Sequence, residues 1–232
     1  MSRSVFTSRE GGVSNPPYSG FNLATHVGDS LDSVNSNRTE LARNIGLPLE
    51  KIFYMNQVHG AQVAQITVNS DFASPPSVDA LFTTEKGVAL VTLIADCVPL
   101  LMHSPSAVAA VHVGRKGLVS GVFQQTLQMF KINGVKNAEI TAEIGASICA
   151  SCYEVDQDVY AEVVSKVPGA ATENLSPNGK PCLGVESGLV SLLEQQGIKW
   201  SSTDQCTVHD SGFFSYRRDG ITGRQAGVIW RE

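Results

Sequence analysis

Three residues of this chain could share one chemical centre: His59 in Q-V-H-G, Cys97 in A-D-C, and His112 in A-V-H-V-G. Catalytic zinc commonly takes three ligands drawn from His, Cys and carboxylates and leaves a fourth position open. These three meet that requirement, although 38 and 15 residues separate them (97−59 and 112−97), which is not a local finger pattern. The same residues also allow a Cys97 nucleophile with His112 or His59 as its base, oriented by Asp96. A buried thiol beside two structurally satisfied histidines is the third reading.

The positions of these residues predict which elements must hold them. Val88 to Ile94, Val98 to Met102 and Ala107 to Val113 are rich in Val, Leu and Ala without clean alternation, as strands covered on both faces would be. Cys97 and His112 therefore fall at strand ends. Ile52 to Val58 and Gln62 to Val68 read as extended, with His59-Gly60 at a hairpin-like turn between them. Leu31 to Ile45 has helical spacing and ends at Gly46. A strand, the loop G-R-K-G and a helix over Leu118 to Phe130 follow in order. Ala138 to Ile144, a short loop and a helix over Tyr153 to Val167, stopped by Pro168, repeat that order. Val185 to Gln196 predicts another helix and Ala226 to Trp230 a last strand. The pattern predicts one α/β domain over residues 1–232, with mixed β-sheets flanked by helices.

Composition narrows the function. A chain of 232 residues, 42% hydrophobic, can bury one core without dividing. A net charge of −5 with no run of Lys or Arg gives no footprint for nucleic acid or an anionic membrane, so small molecules are the expected partners. The first twelve residues hold no apolar stretch of signal-peptide type, and the longest apolar run, Val88 to Ala95, is too short to span a bilayer. The expected location is the cytoplasm, where the five cysteines would stay reduced.

Cys149-Ala150-Ser151-Cys152 is a C-x-x-C between a predicted strand and helix, but it lacks Trp-Cys-Gly-Pro flanks, and the chain has no second C-x-x-C to complete a four-cysteine zinc site. Packed, dispensable cysteines at a helix start are expected. His209 has no partner visible in the sequence. Arg115 and Lys116, at the start of a helix, favour an anion. The segment F-F-S-Y-R-R-D-G-I-T-G-R, Phe213 to Arg224, offers aromatic stacking and charge, with Arg217 and Arg218 as candidate substrate contacts.

Taken together, F-T-S-R-E-G-G-V-S-N-P-P-Y, N-Q-V-H-G, A-D-C-V-P-L-L, H-V-G-R-K-G, C-Y-E-V and F-F-S-Y-R-R-D-G resemble the laccase-domain proteins, once called multicopper polyphenol oxidases and associated with purine nucleoside phosphorylase activity. The resemblance implies zinc on His59, Cys97 and His112, phosphorolysis of adenosine, inosine, guanosine and methylthioadenosine, and deamination of adenosine. It also implies an alternative, hydrolytic editing of a peptidoglycan precursor with zinc or a Cys97 nucleophile. Asp96 is the expected proton carrier or orienting partner of a ligand histidine. Lys116, Arg217 and Arg218 are the expected substrate contacts. Relatives usually read H-A-G-W-R-G where this chain has His112 to Gly117, so Lys116 supplies a point charge in place of a planar fork. Multicopper chemistry draws on far more histidines than the 5 present.

Overall fold

The computed structural model describes residues 1–232. Ten strands are present: β1 Ser2–Phe6, β2 Ile52–Phe53, β3 Val63–Gln65, β4 Ala80–Thr83, β5 Ala89–Ile94, β6 Val98–His103, β7 Val108–Val113, β8 Thr141–Ile144, β9 Lys199–Ser202 and β10 Gln225–Arg231. The α-helices are α1 Leu31–Ile45, α2 Arg115–Ser120, α3 Val122–Ile132, α4 Gln157–Lys166, α5 Val185–Gln195 and the short α6 Tyr216–Asp219. No helix is long and apolar enough to cross a membrane.

The strands form two mixed sheets, one ordered β1-β10-β5-β2 and the other β3-β4-β7-β6-β8-β9. Side-chain alternation explains how they stack. In β7, Val108 and Ala110 join one cluster with Leu81, Leu101, Leu90 and Ile229, which come from both sheets. Ala109 and Val111 point the other way, into the cluster formed with α2, α3, α4 and α5. On the far side of the four-stranded sheet, Val91, Leu93, Val228 and Trp230 pack with Leu41 and Ala42 of α1. The layers are thus helices, six-stranded sheet, four-stranded sheet, helix. Both faces of the central strands are apolar, which is why β5, β6 and β7 show no alternation in hydropathy.

Three local expectations are corrected. The hairpin expected between residues 52 and 68 does not exist: β2 pairs in parallel with β5 and β3 in parallel with β4, in different sheets. G-R-K-G is not a loop before the helix; α2 starts at Arg115 with Gly114 as its cap, and Gly121, at φ 86°, separates α2 from α3. The helix expected from Tyr153 begins only at Gln157, so Cys149 and Cys152 lie in a loop and not at a helix start.

Candidate metal centre and substrate cavity

His59, Cys97 and His112 converge at one end of the gap between the sheets. Cys97 lies in the short link that carries the chain from β5 of one sheet to β6 of the other. His112 follows Val108 and Ala110 on the inter-sheet face of β7, so its ring enters the same gap. His59 occupies the loop between β2 and β3 with φ 59°, a left-handed conformation uncommon outside glycine. The donor atoms of the three all lie within 4.8 Å of one another, and the two imidazoles meet edge to face with centroids 4.8 Å apart. Gly114 makes room for this: a Cβ there would stand 3.2 Å from Cys97 Sγ and 3.0 Å from His59 Cδ2.

The residue that organises the trio is Asp79, fully buried just before β4. Its Oδ1 lies 2.8 Å from His112 Nδ1 and accepts the His59 backbone N–H at 2.9 Å. Its Oδ2 accepts from Gly60 N at 2.6 Å and Val58 N at 3.2 Å. The left-handed turn at His59 is what lets three successive N–H groups converge on one carboxylate. Burial alone would raise the Asp79 carboxyl; His112 and the N–H groups of Gly60 and His59 hold it below the ordinary range. A carboxylate on Nδ1 leaves Nε2 of His112 free for the centre.

Burial also opposes ionisation of Cys97, but the adjacent His112 and then His59 outweigh it and bring the thiol down to about 6. Burial lowers His112 while the Cys97 charge and Asp79 raise it, with a net rise to about 9. The centre therefore favours a thiolate facing an imidazolium. One sulfur with two imidazoles is a donor set that fits zinc with one position open.

Beside the trio lies a cavity of about 360 Å³, walled by Leu93, Ile148, Tyr153, Tyr216, Arg217 and Arg224 among others. A second cavity, of about 310 Å³, shares His59, Cys97 and Tyr153 and adds Val58, Arg115 and Lys116.

A family profile described as multi-copper polyphenol oxidoreductase laccase matches residues 3–232. The chain belongs to this family. Among curated relatives, a Corynebacterium glutamicum protein named purine nucleoside phosphorylase is 41% identical over 98% of this chain and 94% of its own. One of the same name from Haemophilus influenzae is 36% identical over 97% and 93%. Among solved structures, a Neisseria meningitidis protein superposes with TM-score 0.90 at 35% identity, covering 100% of this chain and 94% of that one. YlmD from Geobacillus stearothermophilus superposes with TM-score 0.88 at 30% identity, covering 100% and 92%.

In this laccase-domain chain the remaining site residues separate by place. Asp96 lines the larger cavity, but its carboxylate does not orient a ligand histidine: Oδ1 accepts from Thr207 Oγ1 at 2.6 Å and Ser215 Oγ at 2.7 Å, and Oδ2 from Arg217 N at 2.7 Å. It ties the Thr207–Arg217 segment to the link that carries Cys97, while Asp79 fills the orienting role. Arg217 does line the cavity, with its guanidinium on the Glu154 carbonyl at 3.1 Å and 5.1 Å from the Tyr153 ring centroid. Arg218 stands apart: it donates to the carbonyls of Thr207, Asp210 and Phe213 and pairs with Asp219, so it braces its own loop and is not among the residues that wall the cavity. Arg224 and His26 line the cavity instead, and Arg224 donates to the carbonyls of Thr222 and Gly223. Burial first, then the charges of Arg224 and Arg38, depress His26. Lys116 is exposed and Arg115 half-buried, both in the wall of the smaller cavity.

Asp79 had no signal in the sequence, because S-V-D-A reads as an ordinary turn. Arg224 stood in the aromatic and basic segment already singled out, and only its side-chain direction distinguishes it from Arg218.

Proposed function

We propose that this protein is a zinc-dependent purine nucleoside phosphorylase. The observation that carries this reading is one three-donor centre shared by two adjoining cavities of different character. One is walled by Tyr153, Tyr216, Leu93 and Ile148, which suit a flat heterocycle, and the other carries Arg115 and Lys116, which suit an anion. Phosphorolysis needs both guests at one carbon: the C1′–N bond breaks with its electron pair leaving on the purine, and a phosphate oxygen forms the new bond to C1′. Relatives across nearly the whole chain carry the name of that activity.

Zinc, when bound, would supply a Lewis acid with one open position. The protein's own part is to arrange its neighbours. Asp79 fixes His112 and, through the backbone, His59. Asp96 fixes the segment bearing Tyr216 and Arg217 against the cavity. Arg115 and Lys116 hold phosphate by charge, and Tyr153 stands between the two guests. The family resemblance extends the substrates to adenosine, inosine, guanosine and methylthioadenosine, and adds adenosine deamination, in which water takes the place of phosphate. A cavity of about 360 Å³ accommodates a nucleoside more readily than a muropeptide precursor.

The test is base release from inosine with and without phosphate. Ribose 1-phosphate and hypoxanthine should form only with phosphate, and Cys97→Ser should empty this centre of metal and abolish turnover. Lys116→Ala should raise the KM for phosphate about two- to fivefold, the scale of an exposed charge contact. Phosphate-independent hydrolysis, or full activity in Cys97→Ser, would sink the reading.

A further inference from the structure

A second group of metal-binding side chains lies outside this centre. Cys149, Cys152, Cys206 and His209 also place their donor atoms within 4.8 Å of one another. In sequence they are two half-sites, C-x-x-C at 149–152 and C-x-x-H at 206–209, separated by 54 residues (206−152). The fold joins them. β8 and β9 run in parallel, and beyond their ends Ser147 continues the pairing with Cys206. Each half-site thus begins as its chain leaves the sheet edge, side by side with the other.

From these four residues we infer a second, structural zinc site of Cys₃His type. Tetrahedral Zn–S and Zn–N bonds place ligand atoms roughly 3.3–3.8 Å apart, so the cluster needs to close by about an ångström at most. Cys152 Sγ already stands 3.1 Å from His209 Nε2. Each half-site is a tight turn, closed by Cys152 N on Cys149 O at 3.1 Å and by Asp210 N on Cys206 O at 3.0 Å. The Cys149 backbone N–H donates to Cys206 Sγ at 3.4 Å, which ties one half-site to the other. None of the five cysteines is in a disulfide. Four protein ligands leave no open position, so this ion would hold structure and perform no chemistry.

What it holds is the cavity wall. The first half-site is flanked by Ile148 and Tyr153, which line the substrate cavity. The second contains Thr207 and is followed by Ser215, and both donate to the Asp96 carboxylate. A metal at this place clamps the loop that carries Ile148 and Tyr153 to the segment that leads to Tyr216 and Arg217, all four of them lining the cavity. The expectation that Cys149 and Cys152 are dispensable is thereby reversed.

The test starts with native, tag-free protein purified without chelator. Two zinc ions per chain are expected, one in Cys206→Ser, one in Cys97→Ser and none in the double variant. In peptide mapping of the native protein, Cys149, Cys152 and Cys206 should resist alkylation until a chelator is added, which decides the matter even if Cys206→Ser fails to fold. Cys206→Ser, if folded, should melt at lower temperature. One zinc per native chain, an unchanged zinc content in Cys206→Ser, free alkylation of all three thiols, or a Cys149–Cys152 disulfide would each overturn the site.

Discussion

Asp79 shows how much of a candidate metal centre resides in a residue that is not one of its three donors. It receives the N–H groups of residues 58, 59 and 60 and the ring of His112, so one carboxylate sets the position of two of the three donors. Asp79→Asn replaces an acceptor oxygen with an NH₂ facing backbone donors. Zinc affinity should fall about 10–100-fold, the usual effect of losing a ligand's orienting partner. Competition with a chromogenic chelator measures it, and an unchanged affinity would mean that the turn holds His59 and His112 unaided. Cys97 gives a second check at this scale. In metal-stripped protein its thiolate absorbance should appear around pH 6, well below the ordinary ~8.5 of a free thiol. The sign follows from the neighbours: above that pH the sulfur is charged because His112 and His59 favour the anion, so His112→Ala should move the midpoint upward.

At the scale of elements, the sequence made visible what local pattern controls. α1 follows its apolar spacing to the residue, and the apolar runs at β5, β6 and β7 fall where they were expected. β2 and β3 misled because strands of two and three residues take their partners from distant contacts, which a local pattern cannot express. The convergence of His59, Cys97 and His112 was legible because His and Cys near strand ends are chemically conspicuous. The mate of C-x-x-C was not, since Cys206 and His209 reach it only through the parallel pairing of β8 with β9. A polar cluster also joins the sheets: Glu143 of β8 accepts from Ser4 Oγ of β1 at 2.5 Å and lies 3.3 Å from His103 Nε2 of β6. The hydrogen bond with His103 holds the Glu143 carboxyl low, burial opposes this, and Ser4 adds to the lowering. A depressed carboxyl stabilises the fold above its unfolded value of about 4.3 and loses that contribution as pH falls through its lower folded value. Glu143→Gln should therefore cost stability near neutrality, by about 1 kcal/mol or less for a group this exposed. The difference from wild type should vanish in strong acid, as urea titrations at several pH values would show.

The whole molecule depends on the gap between its sheets. Leu101, fully buried on β6, packs in that gap with Leu90 of β5 and Ile229 of β10. Leu101→Ala should cost about 2–5 kcal/mol in chemical unfolding, the range for a large-to-small change in a tight core. A loss below 1 kcal/mol would mean that the sheets can close over the space. The four-stranded sheet has a further consequence, which concerns the order of synthesis. β5 forms its long antiparallel ladder with β10, and β1 pairs with β10 alone, so the first strand made waits for residues 225–231 before it has any neighbour in the sheet. Meanwhile His59, Cys97 and His112 have all left the ribosome with more than a hundred residues still to come. A nascent chain thus exposes a nearly complete set of metal donors on an unfinished scaffold, and its inter-sheet core closes only at the final strand. Proteolysis of ribosome-arrested chains should show protection of β1 and β5 arising together, and only once β10 is clear of the exit tunnel.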